Sequence, residues 1–259
     1  MSKPLIFSLR PEPDCDEDIL SLRKAGLSAE TLPMLSLDRD EASLKAAIQH
    51  LADQPDTQLI VTSKQTARML IAASAAIHDR PVWCVGAGTA ALLTEAGFTK
   101  VIAGKGDAHS LIQSLVAAHG SIQQSTDKQQ NTPAYLWLSG ADIAVDIRAG
   151  LAHLSCPVTR YVIYKMAVNS PERSALAAAC QAGRKIAVVA MSARTITVFS
   201  QWLAMKEMDA YRSEITLIVP SPALLALSKA EGLRGICAPL PSRDNMLACA
   251  IGWAKDQGA

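Results

Sequence analysis

Four short segments place small hydroxyl or glycine residues between an apolar strand-like run and a helical pattern. These junctions are Thr62-Ser63-Lys64, Gly86-Ala87-Gly88-Thr89, Met191-Ser192-Ala193-Arg194 and Pro220-Ser221-Pro222. A helix that begins at such a residue presents unpaired backbone N–H groups and a partial positive charge, which suit a carboxylate or a phosphate. Helix N-capping alone is the simpler interpretation of any single junction. The four together, with Lys64, Arg194 and Arg10 nearby, predict a cleft that binds an anion.

Two tyrosines in the segment Val158 to Val168 are a second candidate. Tyr161 and Tyr164 are three residues apart in a pattern that predicts an extended strand. Because successive side chains of a strand point to opposite faces, one tyrosine can lie in the core while the other points into a cleft. Tyr164 is therefore a candidate proton donor, although packing is the simpler interpretation of this residue taken alone.

Familiar catalytic motifs are absent from the sequence. It has no G-x-S-x-G elbow, no phosphate loop of the G-x-x-x-x-G-K-[ST] type and no H-E-x-x-H pair. The segment from Val85 to Thr89 lacks the third glycine of a dinucleotide loop. The five histidines stand apart, and we expect them at the surface. The six cysteines form no C-x-x-C pair, so we expect reduced, mostly buried thiols and no metal site.

Charge and hydropathy argue against nucleic-acid and membrane partners. The 25 basic and 24 acidic residues are interspersed and leave a net charge of +1, so no surface-wide field attracts a polyanion. No apolar run has the length of a membrane helix, and the first residues lack the features of a signal peptide. We expect a cytoplasmic protein that binds a small molecule.

Short apolar runs alternate with helical patterns along the chain, which is typical of parallel sheets covered by crossover helices. The predicted strands are Leu5 to Ser8, Leu59 to Thr62, Val82 to Val85, Lys100 to Ile102, Tyr135 to Leu138, Ile186 to Ala190, Thr216 to Val219 and Gly235 to Ala238. The length of 259 residues allows one large domain or two smaller ones, and two is the better expectation.

Two halves of the chain resemble each other, on either side of a polar stretch, Gly120 to Pro133, which we expect to be an exposed loop. PLIFSLR recurs as AYLWLSG, LIVTSKQTARML as VVAMSARTITVF, and CVGAGTAALLTEAGFTKVIAG as IVPSPALLALSKAEGLRGICA, in the same order. Chance likeness of Ala- and Leu-rich segments is the alternative. An internal duplication is the simplest account, and its ligand is expected at the carboxyl ends of the strands.

These same residues resemble the uroporphyrinogen-III synthase family over nearly the whole length. Leu9-Arg10-Pro11 is similar to the family's T-R-P, and Thr62-Ser63 to its T-S-x-x-A-V element. Val85-Gly86 with Thr89-Ala90 resembles V-G-x-x-T-A, and Ile163-Tyr164-Lys165 resembles V-Y-R-T. Each motif is short, and their order and spacing make the match specific.

The sequence departs from the family pattern at several positions. Ser139-Gly140 stands where the family commonly has R-G, and Leu9 replaces the threonine before Arg10. Met191-Ser192 replaces T-S, and Val219 to Pro222 replaces G-P-T-T. These changes put side-chain contacts in doubt more than the fold, because backbone donors bind carboxylates whatever the side chain.

The resemblance implies an α/β fold of two flavodoxin-like parallel-sheet domains joined by a two-stranded linker. Domain one would be discontinuous, residues 1–35 and 169–259, with domain two at 39–161 and linker strands at 33–38 and 161–168. It also implies a cofactor-independent enzyme that cyclises hydroxymethylbilane to uroporphyrinogen III with inversion of ring D. The implied catalytic residue is Tyr164. The implied substrate-binding residues are Arg10, Ser63, Lys64, Gly86, Thr89, Ser192 and Ser221.

We expect a monomer that meets hydroxymethylbilane synthase only transiently. A noncatalytic bilobed protein that binds a tetrapyrrole or another metabolite is the alternative, suggested by the departures at Ser139, Met191 and Pro222. A solute receptor of the periplasmic type is a second alternative, disfavoured by the absence of a signal peptide.

Overall fold

The computed structural model describes residues 3–73, 77–124, 133–154 and 156–258. The strands are β1 Leu5–Ser8, β2 Ser28–Thr31, β3 Leu35–Arg39, β4 Gln58–Val61, β5 Pro81–Cys84, β6 Lys100–Ala103, β7 Tyr135–Gly140, β8 Val158–Val168, β9 Ile186–Val189, β10 Ile215–Val219 and β11 Arg234–Cys237. The helices are α1 Asp14–Lys24, α2 Glu41–Asp53, α3 Lys64–Ala73, α4 Ala87–Glu95, α5 Ala108–Gln124, α6 Ile147–Leu151, α7 Ser174–Gln181, α8 Ala193–Met205, α9 Pro222–Ala230 and α10 Arg243–Asp256, with a 3₁₀ helix at Asp209–Glu214.

The chain divides into two compact units. The terminal unit comprises Met1–Leu37 and Ala167–Ala259, and the middle unit comprises Asp38–Met166. The chain passes between the units on β3 and β8, which are neighbours in one sheet. The predicted fold class, two parallel-sheet domains joined by two strands, is therefore confirmed.

The terminal unit contains a five-stranded sheet in the order β11-β10-β9-β1-β2 with all its pairs parallel. Every residue of β1 and β9 is buried, because helices cover both faces of a parallel sheet. One face packs on α1 and α10 through Ile6, Val189 and Met246. Burial of each such side chain stabilises the fold by about 1.5 to 3 kcal/mol.

The middle unit contains a six-stranded sheet in the order β3-β8-β7-β4-β5-β6. Its pairs from β8 to β6 are parallel. A second core forms where Trp137, Ile60 and Leu111 pack beneath α5 and α6. The indole N–H of Trp83 is satisfied by Gln58 Oε1 at 2.7 Å, so this large side chain lies at the edge of the core without an unpaired donor.

The two sheets repeat one strand order, as an internal duplication requires. Read from one edge, the order β2-β1-β9-β10-β11 corresponds to β8-β7-β4-β5-β6. The three pairs of similar segments fall on β1 and β7, on β9 and β4, and on the units that run from β10 to β11 and from β5 to β6. Chance likeness of apolar segments would not give matching positions in both sheets.

All eight predicted strands are present within two residues of their predicted bounds. Two other expectations are corrected. Helix α5 continues through Gln124, so the first part of the predicted loop is helical, while residues 125–132 lie outside the described residues. His119 is 1% exposed on α5 rather than at the surface. Within the described residues, no helix has the length and apolar character needed to cross a membrane.

Candidate active site

The carboxyl ends of β4, β5 and β7 meet at one edge of the middle sheet, because these strands are parallel neighbours, and Tyr164 of the longer strand β8 pairs with Gly140 at the end of β7. A cavity of about 480 Å³ lies at this edge, and Thr62, Ser63, Trp137, Gly140 and Tyr164 line it. A second cavity, of about 470 Å³, lies beside it, and Tyr164 lines that one too. Tyr164 is therefore the side chain common to both cavities.

Tyr164 forms a chain of hydroxyl groups with the start of α3. Its hydroxyl lies 3.0 Å from Ser63 Oγ, which lies 2.9 Å from Thr66 Oγ1. Ser63 Oγ also accepts the backbone N–H of Thr66 at 3.0 Å. If Ser63 donates its proton to the tyrosine oxygen, the phenol O–H is left to donate into the cavity, and its donor strength rises through the shared chain.

Lys64 brings the starts of α3 and α4 together. Its Cε and Nζ lie 3.0 and 3.6 Å from the point that a Cβ atom on Gly88 would occupy. Helix α4 has Gly86 as its N-cap and no side-chain cap, while the N–H groups of Thr89 and Ala90 bond to Gly86 O. An ammonium group thus lies beside an uncapped helix N-terminus, an arrangement that attracts a carboxylate.

Thr89 contributes less to this surface than its position in the sequence predicts. It is the third residue of α4 and only 7% exposed. Its side chain therefore packs within the unit, whereas Ala87 and Gly88 of the same turn are exposed.

Asp107 gives the cavity rim a negative group. The side chain and the backbone N–H of Ser110 both bond to its carboxylate, at 2.6 and 2.8 Å, and these bonds lower the pKa of Asp107. The group is fully ionised at neutral pH, so it repels carboxylates and can accept N–H donors.

Ser192 and Ser221 lie in the terminal unit, at the carboxyl ends of the neighbouring strands β9 and β10. Ser192 Oγ accepts the N–H of Thr195 at 3.2 Å and lies 2.8 Å from Thr195 Oγ1, which repeats the geometry of Ser63 with Thr66. Ser221 Oγ accepts the N–H of Leu224 at 3.4 Å. Both serines are N-caps. Among the described residues of the terminal unit, no tyrosine hydroxyl bonds to either serine, in contrast to the contact between Tyr164 and Ser63.

Arg10 lies in an ionic network within the terminal unit. Its guanidinium bonds to Asp14 at 2.7 Å and to Asp18 at 3.1 Å. The Asp18 side chain is 1% exposed and also accepts Ser8 Oγ at 2.8 Å and Arg243 Nε at 2.7 Å. The positive charge of Arg10 is therefore compensated by two carboxylates at the carboxyl end of β1.

Arg160 lies next to the cavity, bonded to the carbonyl groups of Gly140 and Ala141, and the sequence pattern does not indicate it. It lies on β8, its Nε donates to Ser139 Oγ at 2.8 Å, and its guanidinium lies 4.8 Å from the ring centre of Trp137. A guanidinium thus lies beside the serine at position 139, where the resembled family commonly has arginine. The sequence shows that position 139 lacks the arginine common in the family. It does not show that Arg160 brings a guanidinium to the same place, because this depends on the pairing of β7 with β8.

The described residues contain no cluster of three or more His, Cys, Asp or Glu side chains that could hold a metal ion. The polar groups that line the cavity include the hydroxyls of Thr62, Ser63 and Tyr164 and the carboxylate of Asp107, whereas Lys64 is not among the lining residues. These groups suit hydrogen bonding to a polar organic molecule and proton transfer to or from it.

Comparisons with known proteins identify the family. The model of uroporphyrinogen-III synthase HemD matches residues 17–248. Uroporphyrinogen-III synthetase of Helicobacter pylori has a similar structure with 15% identity, coverage of 97% of this chain and 100% of that chain, and a TM-score of 0.56. A mutant uroporphyrinogen III synthase of Thermus thermophilus has 14% identity, covers 98% and 99% of the two chains, and gives a TM-score of 0.53. At such identities these structures show a shared fold. No curated protein sequence matches this chain significantly.

The Asp18 network predicts a large stability effect. We expect Asp18→Asn to lower the free energy of unfolding by about 3 kcal/mol, because two guanidinium groups lose the buried carboxylate that compensates them. Asp16→Asn is the matched control, since Asp16 is exposed on the same helix and should cost less than about 0.5 kcal/mol. Urea denaturation measures both, and equal effects would contradict a structural role for the network.

Proposed function

This chain belongs to the uroporphyrinogen-III synthase family, and we propose that its reaction takes place at the carboxyl-end cavity of the middle unit with Tyr164 as the proton donor. The protein is a cyclising lyase that converts hydroxymethylbilane to uroporphyrinogen III with inversion of ring D. The family match does not favour the noncatalytic alternative. The observation that carries the proposal is the 3.0 Å contact between Tyr164 and Ser63 at the cavity.

The chemistry places modest demands on catalytic groups. The lone pair of the terminal pyrrole nitrogen expels the substrate's hydroxyl group and leaves an electrophilic azafulvene. Ring D must then be attacked at its substituted carbon to give a spiro intermediate, whereas the uncatalysed closure gives the wrong isomer. Holding the chain and excluding water therefore contribute more than acid–base groups.

Tyr164 supplies the proton for the departing hydroxyl group in this proposal. As the C–O bond breaks, the phenol proton moves to the leaving oxygen and water departs. The spiro intermediate opens as the bond between the substituted carbon of ring D and its original methylene bridge breaks, and this bridge, now part of a second azafulvene, bonds the unsubstituted α-carbon of ring D. The phenolate, stabilised by the hydroxyl of Ser63, recovers a proton when this α-carbon loses its hydrogen and ring D becomes aromatic again. Protons and electrons balance, and the product differs from the substrate by one water.

Lys64 and the start of α4 hold substrate carboxylates in this proposal. The ammonium group near Gly88, the exposed backbone of Ala87 and Gly88, and the Gly86 N-cap together offer charge and N–H donors. Asp107 beside them repels carboxylates and can accept a pyrrole N–H. The positive charge of Lys64 and the negative charge of Asp107 favour one orientation of the substrate. Its carboxylates face Lys64 and its pyrrole N–H groups face Asp107.

The terminal unit binds further carboxylates through its helix N-termini in this proposal. Ser192 and Ser221 cap α8 and α9 with their side chains, and the remaining first-turn N–H groups would receive the ligand. We assign Arg10 the role of fixing the carboxyl end of β1, since Asp14 and Asp18 already compensate its charge.

We also propose that the chain acts as a monomer in the cytoplasm and receives its substrate by transient contact with hydroxymethylbilane synthase. All six cysteines are free, as expected in a reducing compartment, and each unit has its own hydrophobic core. A direct transfer would limit uncatalysed closure of a reactive substrate. Sedimentation velocity should show a species of 27.5 kDa, and a stable larger assembly would contradict the monomer.

Tyr164→Phe should reduce the rate of uroporphyrinogen III formation roughly a hundredfold, because general-acid assistance contributes about that much. Freshly prepared hydroxymethylbilane, with chromatographic separation of isomers I and III, gives the measurement. Tyr161→Phe is the matched control, since its hydroxyl lies 3.2 Å from His50 Nδ1 and Tyr161 lines neither of the two cavities. Unchanged turnover in Tyr164→Phe would remove the tyrosine from the mechanism.

Lys64→Met should raise KM about tenfold with a smaller effect on kcat, because a charge-assisted bond to the substrate is lost and the hydrocarbon stem is kept. The increase should shrink at high salt, where ionic contacts are screened. Lys45→Met, an exposed lysine on α2, is the control for loss of one charge. An equal KM in the two variants would exclude Lys64 from substrate binding.

A further inference from the structure

Gly140 lies against the ring of Tyr164 more closely than any other residue type could. A Cβ atom added at Gly140 would lie 2.6 Å from Tyr164 Cζ, 2.8 Å from Cε2 and 2.9 Å from the hydroxyl oxygen. Carbon atoms that are not bonded approach best at about 3.5 to 4.0 Å, so such contacts are strongly repulsive. The hydroxyl can therefore hold its place beside Ser63 only if position 140 has no side chain.

The strand pairing fixes the backbone at this contact. Ser139 pairs with Val162, but Gly140 pairs with Tyr164, so the register skips one residue of β8. Such a bulge changes the direction of the side chains that follow it. Ala141 N donates to Tyr164 O at 2.8 Å, which holds the two strands together directly after the bulge.

Arg160 holds the same backbone from the side. One of its terminal nitrogens donates to Gly140 O at 2.8 Å and to Ala141 O at 3.2 Å. Its ring contact with Trp137 and its bond to Ser139 restrict the guanidinium further. No ion pair among the described residues involves Arg160. Its bonds therefore go to neutral groups at the end of β7. Because these bonds hold the backbone of Gly140, that backbone cannot move away to make room for a side chain.

We propose that Gly140, held by Arg160, is a positioning residue that places the Tyr164 hydroxyl at Ser63. This inference rests on the proposed function for its effect on catalysis. Position 140 acts on catalysis through the ring of Tyr164, because it sets where the proton donor lies. Any side chain there turns the ring and withdraws the hydroxyl from the cavity, although the tyrosine itself is intact.

Fluorine NMR tests the positioning independently of catalysis. The chain has four tyrosines, so protein labelled with 3-fluorotyrosine should give four signals, which single Tyr→Phe variants assign. Gly140→Ala should shift the Tyr164 signal and leave the Tyr135 and Tyr211 signals in place. Gly252→Ala is the control, because a Cβ at Gly252 meets no atom within 4 Å. An unmoved Tyr164 signal in folded Gly140→Ala overturns the inference.

Turnover then separates this inference from the proposed function. If both hold, Gly140→Ala slows formation of isomer III about as much as Tyr164→Phe, roughly a hundredfold, and the double variant is no slower than either single variant. If the Tyr164 signal shifts while Gly140→Ala and Tyr164→Phe both keep full activity, the proposed role of Tyr164 fails and the positioning stands. Additive losses in the double variant overturn an effect of Gly140 through Tyr164.

Arg160→Gln provides a second variant in case Gly140→Ala does not fold. Loss of the guanidinium frees the carbonyl groups of Gly140 and Ala141, so the Tyr164 signal should broaden or shift. Arg160→Lys should restore part of the effect, since an ammonium group can reach one of the two carbonyls. A Tyr164 signal identical to that of the unmodified sequence in Arg160→Gln overturns the inference.

Discussion

The contact between the Tyr164 hydroxyl and Ser63 Oγ, at 3.0 Å, is the interaction on which the proposed chemistry depends. It joins residues 101 positions apart, and it exists because β4 and β8 flank β7 in a parallel sheet. Parallel strands bring their carboxyl ends to one edge, so the start of α3, which follows β4, lies near the end of β7, and Tyr164 of β8 pairs with that end. The hydroxyl chain, the cavity and the bulge at Gly140 all follow from this arrangement.

The two units share one motif, a serine N-cap followed three residues later by threonine, but its surroundings differ between the units. Ser63 with Thr66 and Ser192 with Thr195 form the same cap at equivalent strands, with hydroxyl oxygens 2.9 and 2.8 Å apart. Only the cap of the middle unit has a tyrosine beside it among the described residues. The terminal unit has instead the buried Asp18 network. In the proposed function, the middle unit carries the proton transfer and the terminal unit contributes helix N-termini to carboxylate binding.

Much of the fold could be predicted from the sequence, because strands covered on both faces are nearly pure apolar runs. Strand β2, Ser28–Thr31, gave no such signal, since it lies at a sheet edge and has one buried residue. Tyr164 and Ser63 could be named from a pattern of residue types, although their contact could not. The ion pairs of Arg10 could have been predicted from the aspartates four and eight residues later in the sequence. The roles of Gly140 and Arg160 depend on a one-residue slip between β7 and β8, which no local pattern encodes.

The most direct test of the central claim is the dependence of the rate on the leaving group. If Tyr164 protonates the departing hydroxyl, a bilane with an acetoxy group in its place needs no proton and should not depend on the tyrosine. Single-turnover rates of the unmodified protein and of the Tyr164 variant without the hydroxyl, each with both substrates, give the comparison. Proton donation by Tyr164 predicts a large rate difference with the hydroxyl substrate that disappears with the acetoxy substrate. An equal deficit with both substrates would contradict proton donation by Tyr164.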